Sequence, residues 1–278
     1  YANGKYYVSG GVCSGFPTIS DAVTQEFSTA ATSHNVTMPS TVDSGALLLT
    51  LFTNDGNATV TTPSGWTAIT NGTQTRGANV RGSIYAKVAD GTEDSTSVNF
   101  VTSATEEGAS QVYRVKSGEW SGSIAGVEAA NGGDPGATTT TPNPPSLNPG
   151  AWGTENTLWI SYAAGSSYTA TTTYPTNYNG GKHNLSNTGT GGASASSGWY
   201  ESAAASEDPG SFTMSTNSDG VAFTIAIRPA GYALTGSNKI VQTAVYSQPQ
   251  EAIYSRMIDT DTDVFPTGWL LNGLDNSI

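Results

Sequence analysis

Residues 45–66 read GALLLTLFTNDGNATVTTPSGW. The run ALLLTLF is apolar without alternation, the pattern of a central strand covered on both faces. NDGN supplies turn residues, NATVTT reads as a second strand, and Pro63-Ser64-Gly65-Trp66 reads as a corner. The stretch has no histidine and no cysteine, and its one carboxylate, Asp55, stands in the turn. A chain whose most strongly patterned segment carries so little chemistry reads as a builder of surface.

Composition points the same way. The 278 residues include 33 glycines, and charged residues are only 12%, against roughly 25% in ordinary soluble domains. Abundant Thr and Ser with many Gly and Asn suit short strands joined by tight turns, and do not suit a helical enzyme. The formal net charge is −12. Such a surface repels phosphate backbones and anionic membranes, so no nucleic-acid partner is expected. No run of about 18 apolar residues occurs, so no membrane insertion is expected, and no signal-peptide pattern is read. Cys13 is the single cysteine, so no intrachain disulfide forms, and it reads as a small buried hydrophobe.

Residues 1–19 alternate aromatics with glycine and read as an N-terminal arm. Strands are predicted at about 21–29, 34–38, 45–53, 57–62, 66–71, 79–89, 96–102 and 108–116, each bounded by turn residues. SIYAKVA and ASQVYRV alternate, as expected of strands with one wet face. Residues 131–150, NGGDPGATTTTPNPPSLNPG, cannot continue a ladder because proline lacks the donor, and read as a long crossing loop.

Beyond that loop the first half is echoed. NTLWISYAAGSSYTATTTYPTNY (156–178) follows the rhythm of residues 45–66, with Leu47 against Leu158. Tyr85 matches Tyr200, and Gly108 in EEGASQVYRV matches Gly220 in SDGVAFTIAI. The pattern predicts halves at 20–130 and 151–230 whose apolar faces cover each other. The fold expected is all-β: an antiparallel β-sandwich, jelly-roll or immunoglobulin-like, with two pseudo-repeated halves and extended N- and C-terminal arms. FTIAIRPA ends in a proline stop at Pro229, so residues 231–278 read as an extension for assembly or docking.

The candidate chemistry is thin. His34 and His183 sit in no nucleophile motif and read as surface or loop residues. Asp259, Asp261 and Asp263 resemble the start of a calcium loop, but Val264 and Leu270 stand where such a loop needs glycine and glutamate, so a solvated acidic turn is expected. The acid pairs in TEDST (92–96) and SEDPGS (206–211) read as turn residues, because adjacent strand positions face opposite ways. The sequons at Asn35, Asn57, Asn71 and Asn184 imply only solvent exposure. Trp66, Trp120, Trp152, Trp159, Trp199 and Trp269, with Tyr168, Tyr174 and Tyr178, could stack on sugars or plug the sandwich.

SHNVTMPSTVDSGALLLTLFTNDGNATVTTPSGWTAI, then GSIYAKVADGTEDSTSVNF and the late AFTIAIRP strand, resemble a group of uncharacterised β-rich proteins of tailed bacteriophages. The group shares a GDLLL…F…DG…T…P.GW core; here Ser44-Gly45 stands where many have Gly-Asp. The resemblance covers roughly residues 20–230, and its motifs are structural. It implies a non-enzymatic virion protein on the extracellular particle surface: a capsid decoration, or a tail- or fibre-associated protein. Its partners would be other virion proteins and copies of itself, and it would need no cofactor. The alternative is a carbohydrate-binding or adhesin module recognising surface glycans. The apolar anchors expected at the interface are Tyr6, Tyr7, Trp269, Leu270 and Leu271.

Overall fold

The computed structural model describes residues 15–132, 138–150, 152–168, 170–187 and 191–231, with the backbone of 239–244 and 254–259. The chain divides into two compact units, Ser14–Gly231 and a second formed by Tyr1–Cys13 with Tyr232–Ile278. In the second unit, β14 (Lys239–Ala244) and β15 (Tyr254–Asp259) form an antiparallel ladder from Lys239↔Asp259 to Ala244↔Tyr254.

Ser14–Gly231 is the expected all-β sandwich. Its first sheet is built from β1 (Ile19–Thr37), β2 (Leu47–Asp55), β3 (Val60–Thr61), β4 (Thr67–Arg76), β5 (Val80–Val88) and β6 (Ser97–Val115), in the order β1-β6-β2-β5-β4. The second uses β7 (Val127–Asn131), β8 (Glu155–Gly165), β10 (Asn179–Leu185), β11 (Ser194–Ala204) and β13 (Gly220–Ile227), in the order β10-β11-β8-β13-β7. β9 (Thr171–Thr173) and β12 (Thr213–Met214) pair separately. The uniformly buried β2 is central, as its unbroken apolar run requires. Leu47, Leu49 and Leu51 of β2 share one core with Leu158, Ile160 and Tyr162 of β8 and with Phe223 and Ile225 of β13.

The duplication is real at the level of topology. Reading the second sheet backwards gives β7-β13-β8-β11-β10, which matches β1-β6-β2-β5-β4 strand for strand. The ladders set the residue equivalence. Asn54 faces Gly108 across β2–β6, and Gly165 faces Gly220 across β8–β13, so Gly108 and Gly220 correspond as expected. Tyr85 and Tyr200 do not. Tyr85 faces Thr50, whereas Gly198 faces the equivalent Ser161, so Tyr200 is displaced by two positions on the same face. The Pro63–Trp66 corner recurs as Pro175–Tyr178: Trp66 N–H donates to Pro63 O at 3.1 Å and Tyr178 N–H to Pro175 O at 3.1 Å. Gly65 has φ 79° there, and Asn177 takes the equivalent left-handed position at φ 70°.

This equivalence moves the boundary between the halves. β7 precedes the Pro-rich segment yet pairs with β13, so the second repeat starts at Val127 and the join is residues 116–126. The Pro-rich segment lies inside the second repeat, between its first two strands. The strands expected at 21–29 and 34–38 are one strand, β1, bent by bulges around Phe27–Ser33. Those expected at 96–102 and 108–116 are likewise one strand, β6.

β6 does not run straight. Val112 faces Thr50, which faces Tyr85 on the other side. A straight strand would place Phe100 roughly 40 Å from that row. Instead the Phe100 ring lies 5.2 Å from Tyr85, 5.6 Å from Phe52 and 5.8 Å from Trp66. The first part of β6, with the end of β1 and β3, therefore folds back as a roof over the outer face of its own sheet. Val36, Met38 and Phe100 from the roof join Leu48, Phe52, Tyr85 and Val112 from the sheet in a second core.

The second sheet is roofed at the equivalent place. β9 and β12 stand for β3 and the first part of β6, and Phe212 stands for Phe100. The Pro-rich segment replaces the end of β1. Met214 N–H donates to Thr140 O at 2.7 Å and Phe212 N–H to Pro142 O at 3.0 Å. Pro142 can accept but not donate, and the segment is tied reciprocally on either side of it, at Thr139–Ser218 and Leu147–Glu207. The roofs explain why SIYAKVA and ASQVYRV show no continuous wet face: Ser83–Ala86 and Ala109–Tyr113 are buried on both sides.

Candidate functional site

Polar side chains stitch the two sheets together beside their apolar core. Gln111 donates to Asn184 Oδ1 and Ala195 O, each at 2.9 Å, and accepts from Ser197. Ser197 Oγ meets Tyr113 OH at 2.5 Å, and Asn184 Nδ2 donates to Gln25 O at 2.9 Å, joining β10 to β1. On the opposite side Asn131 Nδ2 donates to Asn71 O at 2.9 Å, joining β7 to β4. Such satisfied networks fix which sheet position faces which. They also bury Asn184, whose sequon had implied exposure.

The two histidines lie in strands rather than loops, His34 buried and His183 half-buried. His34 is fully buried, flanked by Phe27 and Phe52 at ring distances of 5.1 and 5.3 Å. Its ring nitrogens lie 3.3 Å from Phe100 O and 3.0 Å from Glu106 O, one on each side of the β6 bend. His183 belongs to β10, with Nδ1 2.8 Å from Ser196 Oγ. That pair is no nucleophile and base, because Ser196 is sealed from solvent and takes a further hydrogen bond from Thr171 at 2.7 Å.

The first acid pair acts as turn residues, whereas Glu207 of the second pairs its backbone with Leu147. Glu93 is buried and accepts from the N–H groups of Asp90, Gly91 and Thr92, while Lys87 reaches it at 2.6 Å. Burial alone would raise its pKa, but Lys87 and these backbone donors hold it below the usual carboxylate range. The aromatics are plugs. Trp66, Trp120, Trp152, Trp159, Tyr168 and Tyr178 are all buried, and the exposed large hydrophobics among the described residues are Val88 and Val101. A strip of exposed rings for stacking on sugars is therefore absent from the described residues. A cavity of about 350 Å³ lies between β4 and β7, but its charged lining residue, Glu128, already takes the Gly150 N–H at 3.3 Å.

The chemically unusual place is the bend of β6. Asp55, the lone carboxylate of the opening stretch, hydrogen-bonds the carboxyl group of Glu106. Asp55 Oδ1 also accepts the Glu107 N–H, and Glu106 Oε1 accepts the Ala58 N–H at 3.3 Å. Gly56 is required beneath them: a Cβ there would stand 2.6 Å from Glu106 Oε2, and its φ is 96°. Burial, then the Asp55 charge, push Glu106 up to about 7. Burial, then repulsion from Glu107 against opposing hydrogen bonds, raises Asp55 also. Glu107 points across to the second half, accepting from Ser186 at 2.9 Å and Asn187 at 3.4 Å. Among the described residues no group of three or more His, Cys, Asp and Glu is arranged to hold a metal ion.

Sequence reasoning saw Asp55 only as a turn residue and did not single out Glu106 or Glu107; no spacing rule joins residues so far apart. Tyr6, Tyr7, Trp269, Leu270 and Leu271 lie outside the described residues, as do Cys13, Asp261 and Asp263. No known family model, curated protein or solved structure matches this chain.

Proposed function

We propose that this chain is a non-enzymatic structural protein of a tailed-phage virion, a capsid decoration or a tail- or fibre-associated component, acting through multivalent contacts with other virion proteins and with copies of itself. The observation that carries the reading is the division of the chain. Residues 1–13 and 232–278 form one compact unit and Ser14–Gly231 another, the latter a sandwich roofed on both faces. Segments outside a core fold are a common means of gripping neighbours. The resemblance of residues 20–230 to phage β-rich proteins supports the same assignment. So do the structural duties of both histidines and of the turn carboxylates. Many weak copies then sum to firm attachment through effective concentration.

Light scattering on the full chain and on a chain trimmed to 14–231 tests this. Defined oligomers from the full chain with a folded monomer from the trimmed one are expected. Monomers from both would overturn assembly through the chain ends.

A further inference from the structure

The duplication supplies an internal control for the carboxyl pair. By the ladder equivalence, Asp55 corresponds to Ser166, Glu106 to Ser218 and Glu107 to Asp219. The second half keeps the contact and changes its chemistry: Ser166 Oγ and Ser218 Oγ lie 2.8 Å apart. Asp219 also keeps the role of Glu107, reaching across to the first half, where Arg76 meets it at 2.5 Å and Asn79 at 2.7 Å. The same hinge thus carries two hydroxyls in one half and two carboxyls in the other. Two hydroxyls hydrogen-bond at any ordinary pH. Two carboxyls do so only while one proton lies between them.

We propose that the roof of the first sheet is a proton-controlled flap, held shut while Asp55 and Glu106 share a proton and released when both are ionised, and that the roof of the second sheet lacks this control. The pair sits at the only part of β6 that must bend. Residues 108–115 pair with β2, residues 101–102 pair with β3, and the bend between them contains Glu106 and Glu107. Each carboxyl group also holds a backbone N–H: Asp55 holds Glu107 in the bend, and Glu106 holds Ala58 in the facing loop. Repulsion between them therefore acts directly on the backbone that sets the fold-back. The charged and titratable groups around the pair are few. Glu107 adjoins it and adds negative charge; His34 from β1 contacts the Glu106 carbonyl, not the carboxyl; Arg81 from β5 bonds Asn57 O in the facing loop at 2.9 Å. Thus no cation is hydrogen-bonded to either carboxyl oxygen among the described residues to hold the doubly ionised pair together. Release lifts Phe100 from Phe52, Tyr85 and Trp66 and bares an aromatic face that is otherwise covered.

Hydrogen exchange on the full chain tests this, with rates corrected for the intrinsic effect of pH. Between about pH 6 and about pH 8.5, amides of residues 97–102 should open roughly tenfold more often, while those of 212–214 hold steady. Glu106→Gln keeps the shape and the hydrogen bond without a charge, and should abolish the step. The double change Asp55→Ser with Glu106→Ser, which copies the second half, should do the same. An equal step in both roofs would make the effect global and overturn the proposal. So would no step in the wild-type chain, or an undiminished step in Glu106→Gln; the wild-type comparison of the two roofs decides even if neither variant folds.

Discussion

The two halves of the sandwich share a skeleton and differ in how each roof is secured. In the first half the roof is a continuation of two strands of the sheet, so its ladder runs from Ser33↔Val101 to Thr37↔Ser97 without proline. In the second it is the Pro-rich segment, held by isolated bridges at Thr139–Ser218 and Leu147–Glu207 rather than by a continuous ladder, and plugged by Leu147 and Trp152 over Trp159. Proline removes ladder donors but also lowers the entropy of the unfolded chain, so a short proline-stitched cover can replace a paired one. The hinge residues diverge in the same sense, carboxyls where the roof is a paired ribbon and serines where it is stitched. The comparison teaches that a duplicated fold preserves positions before it preserves bonds.

Phe100→Ala strikes the comparison hardest. It empties the aromatic cluster beneath the first roof and should lower stability by about 3–5 kcal/mol. Urea unfolding measures this, and a loss below about 1 kcal/mol would show the roof to be loosely seated. Gln111→Ala removes the group that ties β6 to β10 and β11. With Asn184 and Ser197 left short of a partner in the core, a loss of about 1–3 kcal/mol is expected by the same measurement.

The pH dependence of stability separates the hinges. Glu106 keeps its proton in the folded chain up to about 7, whereas the unfolded chain gives it up near 4.5. Between those values the folded state binds more protons, so stability falls as pH rises and levels off above them. Glu106→Gln should flatten that slope, as followed by thermal unfolding across the range, while Ser218→Ala should leave it in place.

The smallest effect is expected at the corners. Gly65→Asn copies Asn177, so it should cost no more than about 0.5 kcal/mol, whereas Gly65→Val should cost about 1–2 kcal/mol, since only the first tolerates the left-handed backbone. Equal losses in thermal unfolding would mean that the two corners are not equivalent.

Much of this was legible in the chain. The unbroken ALLLTLF run marked the central strand, Pro63-Ser64-Gly65-Trp66 marked a corner, and the Leu47–Leu158 and Gly108–Gly220 matches marked the repeat. The roofs were not legible, because alternation records which side of a strand is apolar and not what later folds over the other. SIYAKVA looks half wet, yet its Ser83–Ala86 stretch is wholly covered. His34 reads as polar punctuation in SHNVTMP and becomes a buried clamp across the bend.

By itself, then, the sequence determined what is local: strand periods of two, left-handed corners, proline stops and an apolar total sufficient for two packed sheets. Only the tertiary structure decided what is paired across distance. It set the return of β6 over its own sheet, the start of the second repeat at Val127, and the meeting of Asp55 with Glu106. Local preference acts through neighbouring torsions and is written at each position. A carboxyl contact across a bend depends on where two strand ends arrive, and that is set by the packing of the whole domain.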